Sequence, residues 1–223
     1  SPITTIKIYD KRDVDEIIFF DITATQLNRE KIDIDFYKEI TDECSVPITI
    51  GGGVNKIEHF NDLLFAGADK VSLNTAAVLD PSLVAQASAY FGSQCIVVAI
   101  DIKNMVAGQL SNIPVMDTNL AIDDDTRWEV YTHGGRNAAG IDALKWAKYV
   151  ADLGAGELLV TSMDADGQKN GYDLDLMYEI GEVVMIPLIA SGGAGTLEHL
   201  YDVASVGADA VLAASIFHYG EYT

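Results

Sequence analysis

The chain has 223 residues, nearly half of them apolar, which is enough to fill the core of one α/β barrel domain. Its formal charge of −20, with no run of lysines or arginines, excludes nucleic acid and anionic membrane surfaces as partners and reads as solubility. Two cysteines, Cys44 and Cys95, make no disulfide framework, and no apolar run is long enough to cross a bilayer, so a reducing cytoplasm is the expected location.

Ser1 to Asp15 reads as the tail of a helix leading into a strand. That strand is Glu16-Ile-Ile-Phe-Phe-Asp21, a continuous apolar run suited to a parallel sheet buried on both faces. A helix follows over Ile34 to Glu43, with Asp33 as its cap. Val46 to Ile50 is the next strand and Gly51 to Gly53 its loop. Ile57 to Phe65 is a helix stopped by Gly67, and Asp69 to Leu73 a strand ending in Asn74-Thr75. Pro81 opens a helix over Ser82 to Tyr90. Cys95 to Ile100 is a strand ending at Asp101. From about residue 103 to 138 the periodicity fails, and a long loop or insertion is expected; within it Trp128 to Thr132 alternates like one arm of a hairpin. Ala143 to Leu153 is a helix, Leu158 to Thr161 a strand running into Asp164-Ala-Asp166-Gly167, and Leu174 to Ile180 a helix.

The last part of the chain repeats an earlier one. Pro47 to Val78 and Pro187 to His218 align without a gap at a spacing of 140, with ten identities that include Gly52/Gly192, Gly53/Gly193, His59/His199 and Asp69/Asp209. Each copy reads strand, glycine loop, amphipathic helix, Gly-Ala-Asp turn, strand. Seven strands alternate with helices along residues 1–223. The expected fold is therefore a single (β/α)8 TIM barrel built from two similar half-barrels. The repeat places the eighth strand before Ser1 and a last helix after Thr223, so both are expected to be missing from this sequence. The alternative is a seven-stranded or open sheet.

In such a barrel the loops after the strands carry function. Gly51 to Gly53 lies beside Asn74-Thr75, and Ser191-Gly192-Gly193 beside Ala214-Ser215. Glycines bring backbone N–H groups close to an anion, and the following helix N-terminus adds positive potential. Each pair is a candidate phosphate cradle, and two facing cradles suit an elongated substrate with a phosphate at each end. Asp101, between them, is the candidate proton-transfer group; the alternative is a helix cap or a salt bridge to Lys103. Thr161, Asp166 and Gly167 complete the rim, where one of Asp164 and Asp166 braces the loop and the other meets substrate hydroxyls. His59 and His199 are expected on helix exteriors, as surface or packing residues and not as bases. Glu16, Lys70 and Glu157, at the strand starts, form a ring of alternating charge that is either solvated or a gate or docking surface. No Cys/His spacing resembles a metal site, and no cofactor is implied.

These residues resemble the cyclase subunit of imidazole glycerol phosphate synthase. The similar stretches are FFDITAT (Phe19 to Thr25), TIGGGV, GADKVSLNTAAV, FGSQCIVVAIDIK, GAGELLVTSMDADGQKNGYD, and IASGGAG followed by GADAVLAASIFH. The resemblance covers nearly everything outside Met105 to Asn137. It implies a barrel that takes ammonia from a glutaminase partner, as a heterodimer. The ammonia reacts with a bisphosphorylated ribulosyl aminoimidazole carboxamide nucleotide to give imidazole glycerol phosphate and aminoimidazole carboxamide ribonucleotide. It also implies that Asp101 is one of two catalytic aspartates, the other lying on the first strand. Gly53, Asn74 and Thr75 would hold one phosphate, and Gly192, Gly193, Ala214 and Ser215 the other. Glu16, Lys70 and Glu157 would be three members of a charged ammonia gate whose fourth is an arginine of the first strand. Two departures stand out: the segment after Asp101 is long, and Thr25 to Glu30 is more like paralogues that deliver ammonia for amidino sugars of surface polysaccharides. The sister isomerase of the pathway shares the repeat and the cradles and needs no partner.

Overall fold

The computed structural model describes residues 2–12, 14–22, 32–106, 113 and 115–218. Strands β1 (Ile17–Phe20), β2 (Ile48–Gly51), β3 (Lys70–Leu73) and β4 (Ile96–Asn104) pair in parallel. Two more strands, β5 (Trp128–Thr132) and β6 (Asn137–Asp142), form an antiparallel hairpin, and β7 (Glu157–Ser162), β8 (Leu188–Ser191) and β9 (Ala210–Val211) resume the parallel order. The path runs β1-β2-β3-β4-β7-β8-β9, with the hairpin attached to β4. This is the TIM-barrel fold; among the described residues the place between β1 and β9 holds no strand.

Helices α1 (Pro2–Asp10), α2 (Ile34–Thr41), α3 (Ile57–Phe65), α4 (Thr75–Leu79), α5 (Ser82–Phe91), α6 (Ala143–Asp152), α7 (Leu174–Val183), α8 (Leu197–Ser205) and α9 (Ser215–His218) follow or connect the strands. Expected and observed elements agree to within a few residues. Asp33 does cap α2, its side chain accepting from Phe36 N–H at 3.2 Å. The short α4 and α9 are additions to the sequence reading, since a helix of four or five residues leaves no periodicity to detect. Both cysteines are free. No helix among the described residues is long and apolar enough to cross a membrane.

Two apolar layers hold the sheet. Ile96, Val98, Ile100 and Ile102 of β4 face outward into the large core that the helices cover. The alternate residues Val97 and Ala99 face inward and meet Leu159 and Ile189, with Ile18 and Leu212 packed against them. That second cluster is the barrel interior, a packed plug between the two ends. The period of two along β4 then puts Asp101 and Lys103 on the inward side, at the mouth.

The stretch around 103 to 138 contains more structure than a loop. Strand β4 does not end at Asp101 but continues to Asn104, because β3 stops at Leu73 and frees the edge of β4 beyond it. Strand β5 takes that edge, with Asp101 opposite Tyr131 and Lys103 opposite Glu129. The alternation at Trp128 to Thr132 is thus the hairpin arm that was expected. The departure noted at Thr25 to Glu30 lies outside the described residues.

Candidate functional site

Because the strands are parallel, the loops that follow them meet at one end. Asp101 of β4 stands level with Thr161 of β7, and Thr161 with Ser191 of β8. Asp101 accepts hydrogen bonds from the Asn74 side chain and from the Gly135 backbone N–H. Burial pushes its carboxyl up from 3.8 to about 6; the two donors work against that rise, and the nearby Asp166 carboxylate adds to it. A group that titrates there exchanges protons readily near neutral pH. Asn74 Oδ1 is buried and has no partner among the described residues, which leaves one strong acceptor beside Asp101. Lys103 does not pair with Asp101: its ammonium sits over the Tyr131 ring, 4.5 Å from the centroid.

The two glycine clusters, after β2 and β8, flank this carboxylate, separated by β3, β4 and β7 in the sheet. Gly52 and Gly53 have φ of 102° and 69°, and Gly192 and Gly193 have φ of 88° and 111°. Only glycine fits. A Cβ on Gly52 would lie 2.3 Å from Asp21 O, and one on Gly193 would lie 2.0 Å from Gly171 O. The loops thus pack backbone on backbone, and the Gly171 N–H donates to Gly193 O at 2.9 Å. Thr75 opens α4 and Ser215 opens α9, each beside its glycine loop. The Thr75 hydroxyl accepts the His133 N–H at 3.0 Å and keeps its own proton for another acceptor.

The two histidines of the repeat are not on helix exteriors. His59 is buried and His199 half-buried. His59 Nδ1 accepts the Asn55 N–H at 3.4 Å, and His199 Nδ1 accepts the Gly195 and Thr196 N–H groups at 3.2 and 3.3 Å. Each imidazole is turned back to satisfy orphan amides at the start of its own helix, so both shape the glycine loops from behind. In the loop after β7 the two carboxylates face different partners, and the one that braces does so on β4 and not on the loop of Gly167. Asp164 Oδ2 braces Asn104, accepting its N–H at 2.8 Å and its side-chain amide at 3.1 Å. Asp166 stands on the mouth side, acting on Asp101 and packing near Gly192. Gly167, with φ of 76°, has open space around it.

At the opposite end, Glu16, Lys70 and Glu157 come together. Lys70 Nζ bridges Glu16 Oε2 at 2.8 Å and Glu157 Oε1 at 2.7 Å, and the Thr49 hydroxyl donates to Glu16 Oε1 at 2.7 Å. Burial alone would lower the Lys70 pKa, but the hydrogen bonds and charges of the two glutamates outweigh it and raise it above the ordinary value. Glu157 Oε2 is buried and unpartnered among the described residues, as is Ser72 Oγ on β3. No group of three or more His, Cys, Asp or Glu among the described residues is arranged to hold a metal. The sequence reading missed Gly135 and His133, whose contribution is backbone N–H, and Tyr131; the Gly134-Gly135 pair after an alternating arm was the available signal for a tip. The whole chain, residues 1–223, matches the model of the family described as histidine biosynthesis protein.

Proposed function

Since the chain belongs to the histidine biosynthesis protein family, a family of histidine-biosynthesis enzymes, we propose that it is the cyclase subunit of imidazole glycerol phosphate synthase, fed with ammonia by a glutaminase. The substrate is the bisphosphorylated ribulosyl aminoimidazole carboxamide nucleotide, and the products are imidazole glycerol phosphate and aminoimidazole carboxamide ribonucleotide. One phosphate lies against Gly52, Gly53, Asn74 and Thr75, the other against Ser191, Gly192, Gly193, Ala214 and Ser215. Between them Asp101 takes protons from the incoming nitrogen and returns them to departing oxygen or nitrogen. Thr161, Asp166 and Gly167 contact the middle of the substrate.

The observation that carries this reading over the isomerase is the Glu16–Lys70–Glu157 bridge at the end of the barrel remote from Asp101. An isomerase of a single substrate has no use for a charged closure there. An ammonia-fed cyclase has one, and the free Glu157 Oε2 and Ser72 Oγ offer acceptors to ammonia on its way. The same end exposes Phe65, Tyr90 and Met185 on the segments entering β3, β4 and β8, apolar side chains suited to a docked subunit.

The test supplies the purified protein with the bisphosphate and ¹⁵N-ammonium. The proposal expects ¹⁵N in imidazole glycerol phosphate, and loss of at least about a hundredfold in kcat for Asp101→Asn. An isomeric product without ¹⁵N would establish the isomerase instead. Absent turnover together with activation of a glutaminase would establish an ammonia-delivering subunit, as in the amidino-sugar paralogues.

A further inference from the structure

The tip of the β5–β6 hairpin has no part in the chemistry proposed above, yet it is bound to the mouth at several points. His133, Gly134 and Gly135 are successive left-handed residues, with φ of 55°, 67° and 74°. A non-glycine residue rarely enters that region, so His133 there marks a conformation held by its surroundings. His133 N–H donates to Thr75 Oγ1 at 3.0 Å, and the Arg136 N–H closes the tip on Thr132 O at 3.0 Å. His133 Nδ1 lies 3.0 Å from Thr132 Oγ1. Gly135 N–H donates to Asp101, and a Cβ on Gly135 would stand 2.5 Å from Met163 Cε in the loop after β7. One short turn therefore touches the carboxylate of β4, the hydroxyl beside the first cradle and the loop that carries Asp166.

We propose that this tip is a positioning element: the Gly135 and His133 N–H groups tie the Asp101 carboxylate and the Thr75 hydroxyl to one rigid turn, so that the proton-transfer group and the phosphate cradle hold a fixed geometry, a role that rests on the reading of Asp101 as that group. Around Asp101 stand Asp166 and Asp164 in the loop after β7, Lys103 on the same strand over Tyr131, and His133 in the tip itself. Of these charges Asp166 is the one that acts on Asp101, and it raises the pKa. The Gly135 N–H opposes it, because an N–H donor stabilises the anion. Losing that donor moves the Asp101 pKa further up.

Gly134→Ala and Gly135→Ala form a matched pair for the test. Both glycines are left-handed, so alanine brings a similar backbone strain to each. Gly134 has nothing within 4 Å of its would-be Cβ, whereas Gly135 meets Met163. The readout is the ¹³Cγ titration of Asp101 in the intact protein, which needs no substrate. Gly135→Ala is expected to raise the midpoint by about half a pH unit or more, with Gly134→Ala close to wild type. In turnover the acid limb of the pH profile moves with the midpoint, and kcat falls more than KM changes. The double variant Gly135→Ala/Met163→Ala, which removes the clash, should return most of the shift; if Gly135→Ala fails to fold, Thr75→Val, which unties the tip by removing the acceptor of the His133 N–H, is read in its place, with a raised midpoint expected and a wild-type one counting against the proposal. A wild-type midpoint in Gly135→Ala, or an equal shift in Gly134→Ala, would overturn the proposal. The expected shifts in a protein with no cyclase activity would uphold the positioning role and remove the cyclase reading.

Discussion

Burying the Asp101 carboxylate costs the fold stability. The group titrates at about 6 in the folded protein instead of 3.8, mainly because it is desolvated. The sign follows from linkage. The folded state holds the proton more tightly than the unfolded chain, so the penalty is absent below the unfolded pKa, grows as pH rises through the interval, and is constant above the folded pKa. Asp101→Asn keeps the shape and removes the charge. Calorimetry should find this variant more stable than wild type by about 1–3 kcal/mol at about pH 8, with the difference vanishing by about pH 3.5. A difference that does not depend on pH would mean that the carboxylate is not desolvated. This residue was legible in the sequence because a lone carboxylate ends an apolar run. Its partners were not. Gly135 acts through a backbone N–H, which every residue but proline possesses, so the Gly134-Gly135 pair marks a tip but not the bond that the tip makes. The exterior placement of His59 failed for a related reason: a polar residue on an amphipathic helix reads as outward-facing, while His59 is buried and its Nδ1 takes the Asn55 amide.

The doubled element is legible further down than the identities suggest. In both copies the Gly-Ala-Asp turn ends on an aspartate that grips the preceding strand from two sides. Asp69 Oδ2 accepts the Ile48 N–H at 2.8 Å, while Asp69 N–H donates to Ile48 O at 3.0 Å. Asp209 does the same to Leu188, at 2.9 Å for both bonds. These contacts fix the register of β2 with β3 and of β8 with β9. Asp69→Ala and Asp209→Ala should each lower stability by about 1–2 kcal/mol in urea unfolding, since each orphans a backbone N–H at a strand entrance. The sites lie in separate halves, so the double variant should show the sum to within about 0.5 kcal/mol. A neutral result at either position would mean that the two copies share sequence without sharing the bond. The hairpin, by contrast, was legible only as one arm. Its partner β6 carries Gly140 and no apolar alternation, and its place on β4 depends on where β3 ends, a long-range fact that local periodicity does not contain.

At the scale of the molecule the question is how the two ends of the barrel communicate. The mouth carries Asp101; the far end carries the Lys70 bridge; the plug of Val97, Ala99, Leu159 and Ile189 lies between them. A chain of charge −20 concentrates ammonium near its surface, and Lys70, clamped by two glutamates, puts a cation at this end of the barrel. If the bridge is a closure, its chemistry matters only when ammonia arrives from that end. Lys70→Met keeps the length of the side chain and removes the charge. It leaves Glu16 and Glu157 facing each other without a cation, at partly exposed positions, for a cost of about 1–2 kcal/mol. With ammonium salt, which reaches the mouth from solution, Lys70→Met should turn over within about twofold of wild type, because the cradles and Asp101 are untouched. With glutamine and a glutaminase partner, the same variant should lose coupling: glutamine is hydrolysed, but less imidazole glycerol phosphate forms per glutamate released. Assaying both nitrogen sources in parallel separates a gate from a mere strut. An equal loss with both would show that Lys70 only holds the barrel together, and unchanged coupling with glutamine would show that ammonia does not travel past it.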